Sequence, residues 1–239
     1  NGHEGSVLSR NPGKRTFPTG VLGVKWDAET ADNWGHHVND ADAIVNLAGE
    51  NISSEGMIPE RWTPEKKKRI QMSRLNAGKA IVAAVAAAEN KPKVIIQSSG
   101  VDYYPDGSAL REENAAGGDS FLGKVVQDNW EPTTAPVEEM GVRRVIIRIG
   151  IVVSAIQFAL EYEEMQGAYN LTAPQPLQNK EFAKTIGKVL SRPSFFPAPG
   201  PILKVALGEQ AAIVLEGRNV SSKKLQEAGF EYRFKEAEP

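Results

Sequence analysis

Three apolar, β-branched runs constrain this chain more than any other feature: Ala43-Ile-Val-Asn-Leu47, Lys93-Val-Ile-Ile-Gln-Ser-Ser99 and Arg144-Val-Ile-Ile-Arg-Ile-Gly-Ile-Val-Val153. Their apolar residues are nearly continuous, the pattern of strands buried on both faces. Between the first two lies a helical segment from Pro64 to Asn90. Thr63 is its N-cap, Pro64 takes the first helical position, and apolar residues recur at Ile70, Ala77, Ile81 and Val85 before Asn90 and Pro92 close it. Strands that alternate with helices of this length require crossover connections. The expected fold is therefore α/β, a doubly wound parallel sheet with helices on both faces.

A short strand, Ser6-Val-Leu-Ser9, comes first and ends in a turn, Arg10-Asn-Pro-Gly13. A second amphipathic helix is expected from Phe121 to Met140, broken or kinked by Pro132 and Pro136. After Ser154 the character changes. Helices are expected over Ala155 to Glu164, Glu181 to Leu190 and Ser221 to Ala228, the last stopped by Gly229, with one short strand, Tyr169-Asn-Leu-Thr172. This half promises no new parallel sheet. The 239 residues thus divide into a sheet domain, residues 1–154, and a smaller mixed C-terminal domain on the substrate side, residues 155–239.

Composition narrows the function. Lys and Arg total 28 against 30 Asp and Glu, a net charge of −2, so the chain lacks the basic footprint of a phosphate-backbone binder and nucleic acid is not expected as a partner. The absence of Cys removes disulfides, thiolate metal sites and cysteine nucleophiles, and it fits a cytoplasmic location. The longest apolar stretch, Ala77 to Ala88, is interrupted by Gly78 and Lys79 and is far shorter than the ~20 residues of a bilayer span, so no membrane is expected. The histidines offer no metal-ligand spacing: His36 and His37 are adjacent and His3 is near the start. No metal is expected. A small-molecule substrate is, in a monomer or homodimer.

Chemistry concentrates where strands end. In doubly wound dinucleotide-binding folds an acidic residue after the second strand holds the ribose hydroxyl of NAD, whereas an Arg accommodates the 2′-phosphate of NADP. Ser9 and Arg10 stand at such a strand end and favour NADP, against the plainer reading of a solvated Arg in a turn. Asn46-Leu-Ala-Gly49 follows a buried strand with small residues, where backbone can approach a cofactor. Val94-Ile-Ile-Gln-Ser-Ser-Gly-Val-Asp-Tyr-Tyr104 ends in hydroxyls, with Ser98, Ser99, Tyr103 and Tyr104 at one sheet edge. Arg74 is in phase with Ile70, Ala77 and Ile81, so it points toward the sheet and needs a partner there. That partner is either cofactor phosphate or ribose, or a structural carboxylate such as Glu50. Arg69, about one turn earlier, is a weaker candidate for the same pocket or else part of the solvated run Lys66-Lys-Lys-Arg69.

Taken in order, Asn46-Leu-Ala-Gly-Glu50, Arg61-Trp-Thr63, Ser73-Arg74, Tyr103-Tyr104, Phe121-Leu122, Trp130-Glu131, Tyr169-Asn-Leu-Thr-Ala-Pro174, Glu181-Phe-Ala183 and Glu227-Ala-Gly-Phe230 resemble the atypical branch of the extended short-chain dehydrogenase/reductase superfamily, the NAD(P)-dependent epimerase-like family with its own C-terminal domain. The resemblance covers nearly the whole chain. It implies a Rossmann-type fold, NADP(H) as cofactor, and an epimerase- or reductase-like activity on a small carbonyl or sugar-nucleotide substrate, with Ser99 or its neighbour Ser98 polarising the oxygen. It also implies cofactor contacts from Ser9, Arg10, Asn46, Leu47, Ala48, Gly49, Arg69 and Arg74.

Members of the superfamily normally carry a Tyr-x-x-x-Lys pair on the helix after the Ser-containing strand. Here that helix reads Phe121-Leu-Gly-Lys-Val125: Phe121 cannot titrate, Val125 cannot bind a ribose hydroxyl, and Lys124 is rotated by about 100° from the Lys position. Tyr103 or Tyr104 is left as a substitute acid or as a pocket-lining ring. A non-catalytic NADP(H)-binding sensor or scaffold is the alternative. The resemblance also implies a first strand and a Gly-rich phosphate-binding turn ahead of Asn1, and a further loop at Ser154–Ala155, none of which this sequence contains. Parts of the polypeptide are expected to lie outside the 239 residues.

Overall fold

A computed structural model describes residues 4–53, 61–150, 155–189 and 199–232. Its strands are β1 (Gly5–Ser9), β2 (Val21–Lys25), β3 (Ala43–Asn46), β4 (Val94–Gly100), β5 (Gly107–Arg111), β6 (Arg143–Ile149), β7 (Gly167–Leu171) and β8 (Arg218–Val220). Its helices are α1 (Pro64–Ala87), α2 (Phe121–Lys124), α3 (Pro136–Glu139), α4 (Ala155–Glu161), α5 (Asn179–Val189), α6 (Gly200–Leu207), α7 (Ala212–Leu215) and α8 (Lys223–Glu227). The main sheet has the order β3-β4-β6-β7, and every pairing in it is parallel. β1 and β2 form a separate parallel pair, and β5 and β8 another. This is the parallel, helix-covered Rossmann-type α/β architecture, and β3, β4 and β6 fall on the three apolar runs. The last three residues of the third strand's expected span, Ile151, Val152 and Val153, lie with Ser154 outside the described residues.

β4 shows why those runs are continuous. Ile95 packs into a core with Ala77, Ala80, Ile81, Ala84 and Val85 of α1, whereas Val94 and Ile96 point the other way, toward Val145, Ile147, Ala159 and Leu225. All seven β4 residues are buried. The Thr63 hydroxyl caps α1 by accepting from the Lys66 amide at 3.2 Å. Beyond α2, the chain from Val125 to Glu139 stays helical but changes its turn: a π-helical stretch at Val125–Trp130, a 3₁₀ stretch at Glu131–Thr134, then α3. Pro132 and Pro136, which remove amide donors, sit where the pattern changes.

The second half departs from expectation. β7 pairs with β6 from Val145↔Gly167 to Ile149↔Leu171, so it extends the main sheet, and β8 supplies a second parallel pairing with β5. Gly167-Ala-Tyr-Asn-Leu171 holds no β-branched residue, and so short a run does not reveal its remote partner. α4 likewise packs Ala155 and Ala159 into the main core.

β1 and β3 each have one edge without a strand partner among the described residues. Leu8 of β1 and Ile44 of β3 nevertheless pack against the same core beneath α1, so both sheets rest on one layer. Val7 and Val45, on neighbouring positions, are 40% and 38% exposed.

Gly78 lies where α1 crosses the 3₁₀ stretch: a Cβ there would overlap Thr133, whose hydroxyl is fixed by donating to the Trp130 carbonyl at 2.7 Å. Two effects oppose each other in Gly78→Ala. Helix propensity favours Ala by about 1 kcal/mol, whereas overpacking costs about 1–3 kcal/mol. The variant is expected to be net destabilised in urea denaturation; an increase in midpoint would show that the crossing relaxes freely.

Candidate functional site

The carboxyl ends of β3, β4 and β6 meet two groups of polar residues. At the end of β3, Asn46 is 3% exposed and its amide donates to Gln97 Oε1 of β4 at 2.9 Å, while its Oδ1 accepts from the Ala48 amide at 3.1 Å. These bonds turn the chain sharply after the strand and lead it past α1. Gly49 then meets Arg74: a Cβ at Gly49 would stand 3.1 Å from Arg74 Cζ, so the guanidinium occupies space that a side chain would fill.

Arg74 is buried, as its helical phase requires. Its Nη1 donates to the Ile70 carbonyl at 2.9 Å and the Glu50 carbonyl at 3.2 Å, and the guanidinium lies over the Trp130 ring at 4.4 Å. Burial lowers its pKa, opposed by the charges of Asp102 and Glu50. The Glu50 carboxylate is engaged elsewhere, with Lys66 at 3.0 Å and Arg69 at 3.4 Å. The structural-carboxylate partner considered for Arg74 is therefore replaced by carbonyls and a ring, which leave part of the guanidinium fork uncommitted. Arg69 is more than half exposed and spends its charge on Glu50. Ser9 Oγ accepts from the Asn11 amide at 3.3 Å, and Arg10 and Leu47 are exposed. Nothing in these contacts joins Arg10 to Arg74.

The second group is sealed. Arg148, 4% exposed on β6, pairs with Glu131 through Nε–Oε1 and Nη2–Oε2, both 2.8 Å. Ser99 Oγ donates to the same Oε1 at 2.7 Å. Arg148 Nη1 donates to the Tyr104 hydroxyl at 2.7 Å, which in turn donates to Asn170 Oδ1 of β7 at 2.7 Å. The Tyr103 ring lies 3.5 Å from Arg148 Cζ. Burial alone would lower the pKa of Arg148, but the carboxylate of Glu131 and the Tyr104 hydroxyl raise it, so the cation is permanent. Burial pushes the Tyr104 hydroxyl up.

This network bears on the two residues that sequence reasoning had singled out for proton chemistry. A serine has one hydroxyl hydrogen, and Ser99 gives it to Glu131; a tyrosine has one, and Tyr104 gives it to Asn170. Both side chains are buried. Ser98 is also buried, on the opposite face of β4. Sequence reasoning gave Arg148, Glu131 and Asn170 no role, although an Arg inside an apolar strand is itself a signal that a buried partner exists.

A cavity of about 430 Å³ lies nearby, between Asp102, Trp62 and the start of α2 on one side and the segment from Lys204 to Arg218 on the other. Phe121 lines it, with its ring edge-on to Trp62 at 5.4 Å. Val125 is buried with Ile70 and Leu122, and Lys124 points to Asp119 at 2.8 Å on the surface. Asp102, two residues past β4, lines the cavity as a largely buried carboxyl. Burial raises its pKa, as does Asp106, against the lowering effects of Arg218 at 3.1 Å and of Arg74. Arg61 donates to the carbonyls of Val205 and Ala206 and Lys67 pairs with Glu209, so α6 and the residues after it are fastened over the cavity. Among the described residues no cluster of three or more metal-ligating side chains occurs.

Residues 198–239 match the model of a domain of unknown function, DUF1731. The chain is 32% identical to the chloroplastic homolog of epimerase family protein SDR39U1 from Arabidopsis thaliana, over 98% of this chain and 77% of that one. It is 30% identical to human epimerase family protein SDR39U1, over 98% of this chain and 89% of that one. The crystal structure of human SDR39U1 (isoform 2) with NADPH matches at a TM-score of 0.82 and 26% identity, over 99% of this chain and 88% of the other. The alignment with the Arabidopsis relative runs over 276 positions, more than the 239 residues here, so that relative has segments without a counterpart in this sequence.

Two outcomes follow from the buried groups. Glu131→Gln leaves the Arg148 cation without its carboxylate and is expected to cost about 3–5 kcal/mol in chemical denaturation. Because the folded state holds a proton on Asp102 to higher pH than the unfolded chain does, stability falls as pH rises from the ordinary Asp range through the raised value. Asp102→Asn should flatten that part of a pH series of urea melts; an unchanged slope would show that the carboxyl titrates normally.

Proposed function

The chain belongs to the epimerase family that includes SDR39U1, in the atypical branch of the short-chain dehydrogenases/reductases, and on that premise we propose that it is an NADP(H)-binding epimerase- or reductase-like protein acting on a small carbonyl or sugar-nucleotide compound. The observation that carries this reading is Arg74, a buried cation that makes no ion pair among the described residues, packed against Gly49 at the carboxyl end of a parallel strand. A guanidinium with uncommitted donors beside a side-chain-free backbone suits a phosphate or ribose oxygen. Asn46, Leu47, Ala48 and Gly49 form the loop that would lie along the cofactor, and Arg10, with Ser9, would meet the 2′-phosphate. When bound, the nicotinamide donates or accepts hydride.

In the same reading, residues 1–154 bind the dinucleotide and residues 155–239 close the substrate side. A strand and phosphate-binding turn from outside the 239 residues would complete the sheet; the edges of β1 and β3, without a strand partner among the described residues and resting on a shared core, support this. A cytoplasmic location belongs to the reading too, although the Arabidopsis relative is named as chloroplastic. No described helix is long and apolar enough to cross a membrane.

Phe121 and Val125 stand where the usual Tyr and Lys are expected, so this chain must hold its proton elsewhere. Asp102, lining the cavity with a raised affinity for protons, is the residue for that task. A second reading, a cofactor-binding sensor without turnover, is favoured by the commitment of the Ser99 and Tyr104 protons inside the network.

Fluorescence titration tests the cofactor: NADPH is expected to bind more tightly than NADH, Arg10→Ala to weaken NADPH alone, and Arg74→Ala to weaken both by roughly tenfold or more, for lost charge-assisted bonds. Absent or equal binding counts against the reading. Turnover is followed as NADPH oxidation over a panel of aldehydes, ketones and sugar nucleotides. Silence across the panel with NADPH bound selects the sensor.

A further inference from the structure

The charges of the cavity decide what it admits. Three carboxylates line it, Asp102, Glu209 and Glu216, against two cations, Lys204 and Arg218. Arg218 is fully engaged: Nη1 reaches Asp102 at 3.1 Å, Nη2 reaches Asp106 at 2.9 Å, and Nε donates to the Tyr104 carbonyl at 2.9 Å. A guanidinium held on all three sides presents no fork to a phosphate. Lys67, behind the Phe121 ring, is paired with Glu209. That leaves Lys204, an exposed side chain in the field of Glu216. The start of α2 opens here as well, but Ser120 Oγ already accepts from the Gly123 amide at 3.0 Å.

The walls are of another kind. The Trp62 indole donates its N–H to the Ile52 carbonyl at 2.8 Å, so the part of it that faces the cavity is apolar, and it meets Phe121 edge-on. A flat apolar wall opposite carboxylate acceptors suits a ring or short chain that carries hydroxyl donors. A nucleoside diphosphate brings several negative charges into a site already acidic, with one exposed Lys to meet them.

We infer that this cavity takes an uncharged, hydroxyl-bearing aldehyde or ketone with an apolar body, and turns away nucleoside diphosphates. The inference rests on the reading of the protein as a cofactor-dependent carbonyl or sugar-nucleotide enzyme and chooses between its two substrate classes. The Asp102 and Glu216 side chains form hydrogen bonds with the hydroxyl and carbonyl groups, and Trp62 and Phe121 cover the apolar part.

Isothermal titration of the full chain with 4-hydroxybenzaldehyde and, separately, UDP-glucose tests this, each with and without NADPH. The aldehyde is expected to bind saturably, and Asp102→Asn or Glu216→Gln to weaken it roughly tenfold, the effect of one charge-assisted hydrogen bond. UDP-glucose is expected not to saturate the wild type, and to bind more tightly once both carboxylates are neutralised. Glu216 is exposed, so its variant keeps the test alive if Asp102→Asn fails to fold. Saturation of the wild type by UDP-glucose that Trp62→Ala abolishes overturns the inference. So does aldehyde binding indifferent to both carboxylates, or no aldehyde binding at all. Aldehyde binding without any NADPH binding would instead defeat the cofactor reading and leave the substrate class standing.

Discussion

The Arg148–Glu131 pair is the interaction on which the arrangement around the site depends. It joins the carboxyl end of β6 to the 3₁₀ stretch that follows the π-helical turn, and through Ser99, Tyr104 and Asn170 it reaches β4, the segment after β4, and β7. Two charges taken from water gain little net stability even when they meet well, and each becomes a liability if the other is lost. What such a pair supplies is position. Every donor of the Ser99 and Tyr104 hydroxyls has one assigned acceptor, so the carboxyl end of the sheet has a single hydrogen-bonding solution.

That same rigidity separates structure from chemistry at the sheet edge. Residues that resemble catalytic groups by type and place, Ser99 and Tyr104, are consumed in holding β4, β6 and β7 together. Asp102, two residues past the end of β4, stands outside that network and faces the cavity. There a contact from β8 through Arg218 sets its environment.

Much of the fold was legible in the sequence because it depends on local pattern. The continuous β-branched runs identified β3, β4 and β6, and Thr63-Pro64 fixed the start of α1 within a residue. The burial of Arg74 followed from helical phase alone. What the sequence hid depends on contacts between remote residues. β7 is five residues long and is a sheet strand only because β6 lies beside it. The partner of Arg74 could not be read because carbonyl oxygens carry no sequence signature. Arg218 and Asp102 are more than a hundred positions apart, and their meeting follows from the parallel pairing of β5 with β8, a register that no local pattern encodes. Arg148 in the run Val-Ile-Ile-Arg-Ile is itself a sign of a buried partner, though not of which one.

The edges of β1 and β3, which have no strand partner among the described residues, have a consequence for the behaviour of the molecule in solution. An open parallel edge is a row of backbone donors and acceptors that any extended chain can satisfy, and here the neighbouring Val7 and Val45 add apolar surface to it. Until a strand occupies them, both edges are templates for intermolecular pairing. Covering these two short ladders would remove both that template and the apolar surface beside it.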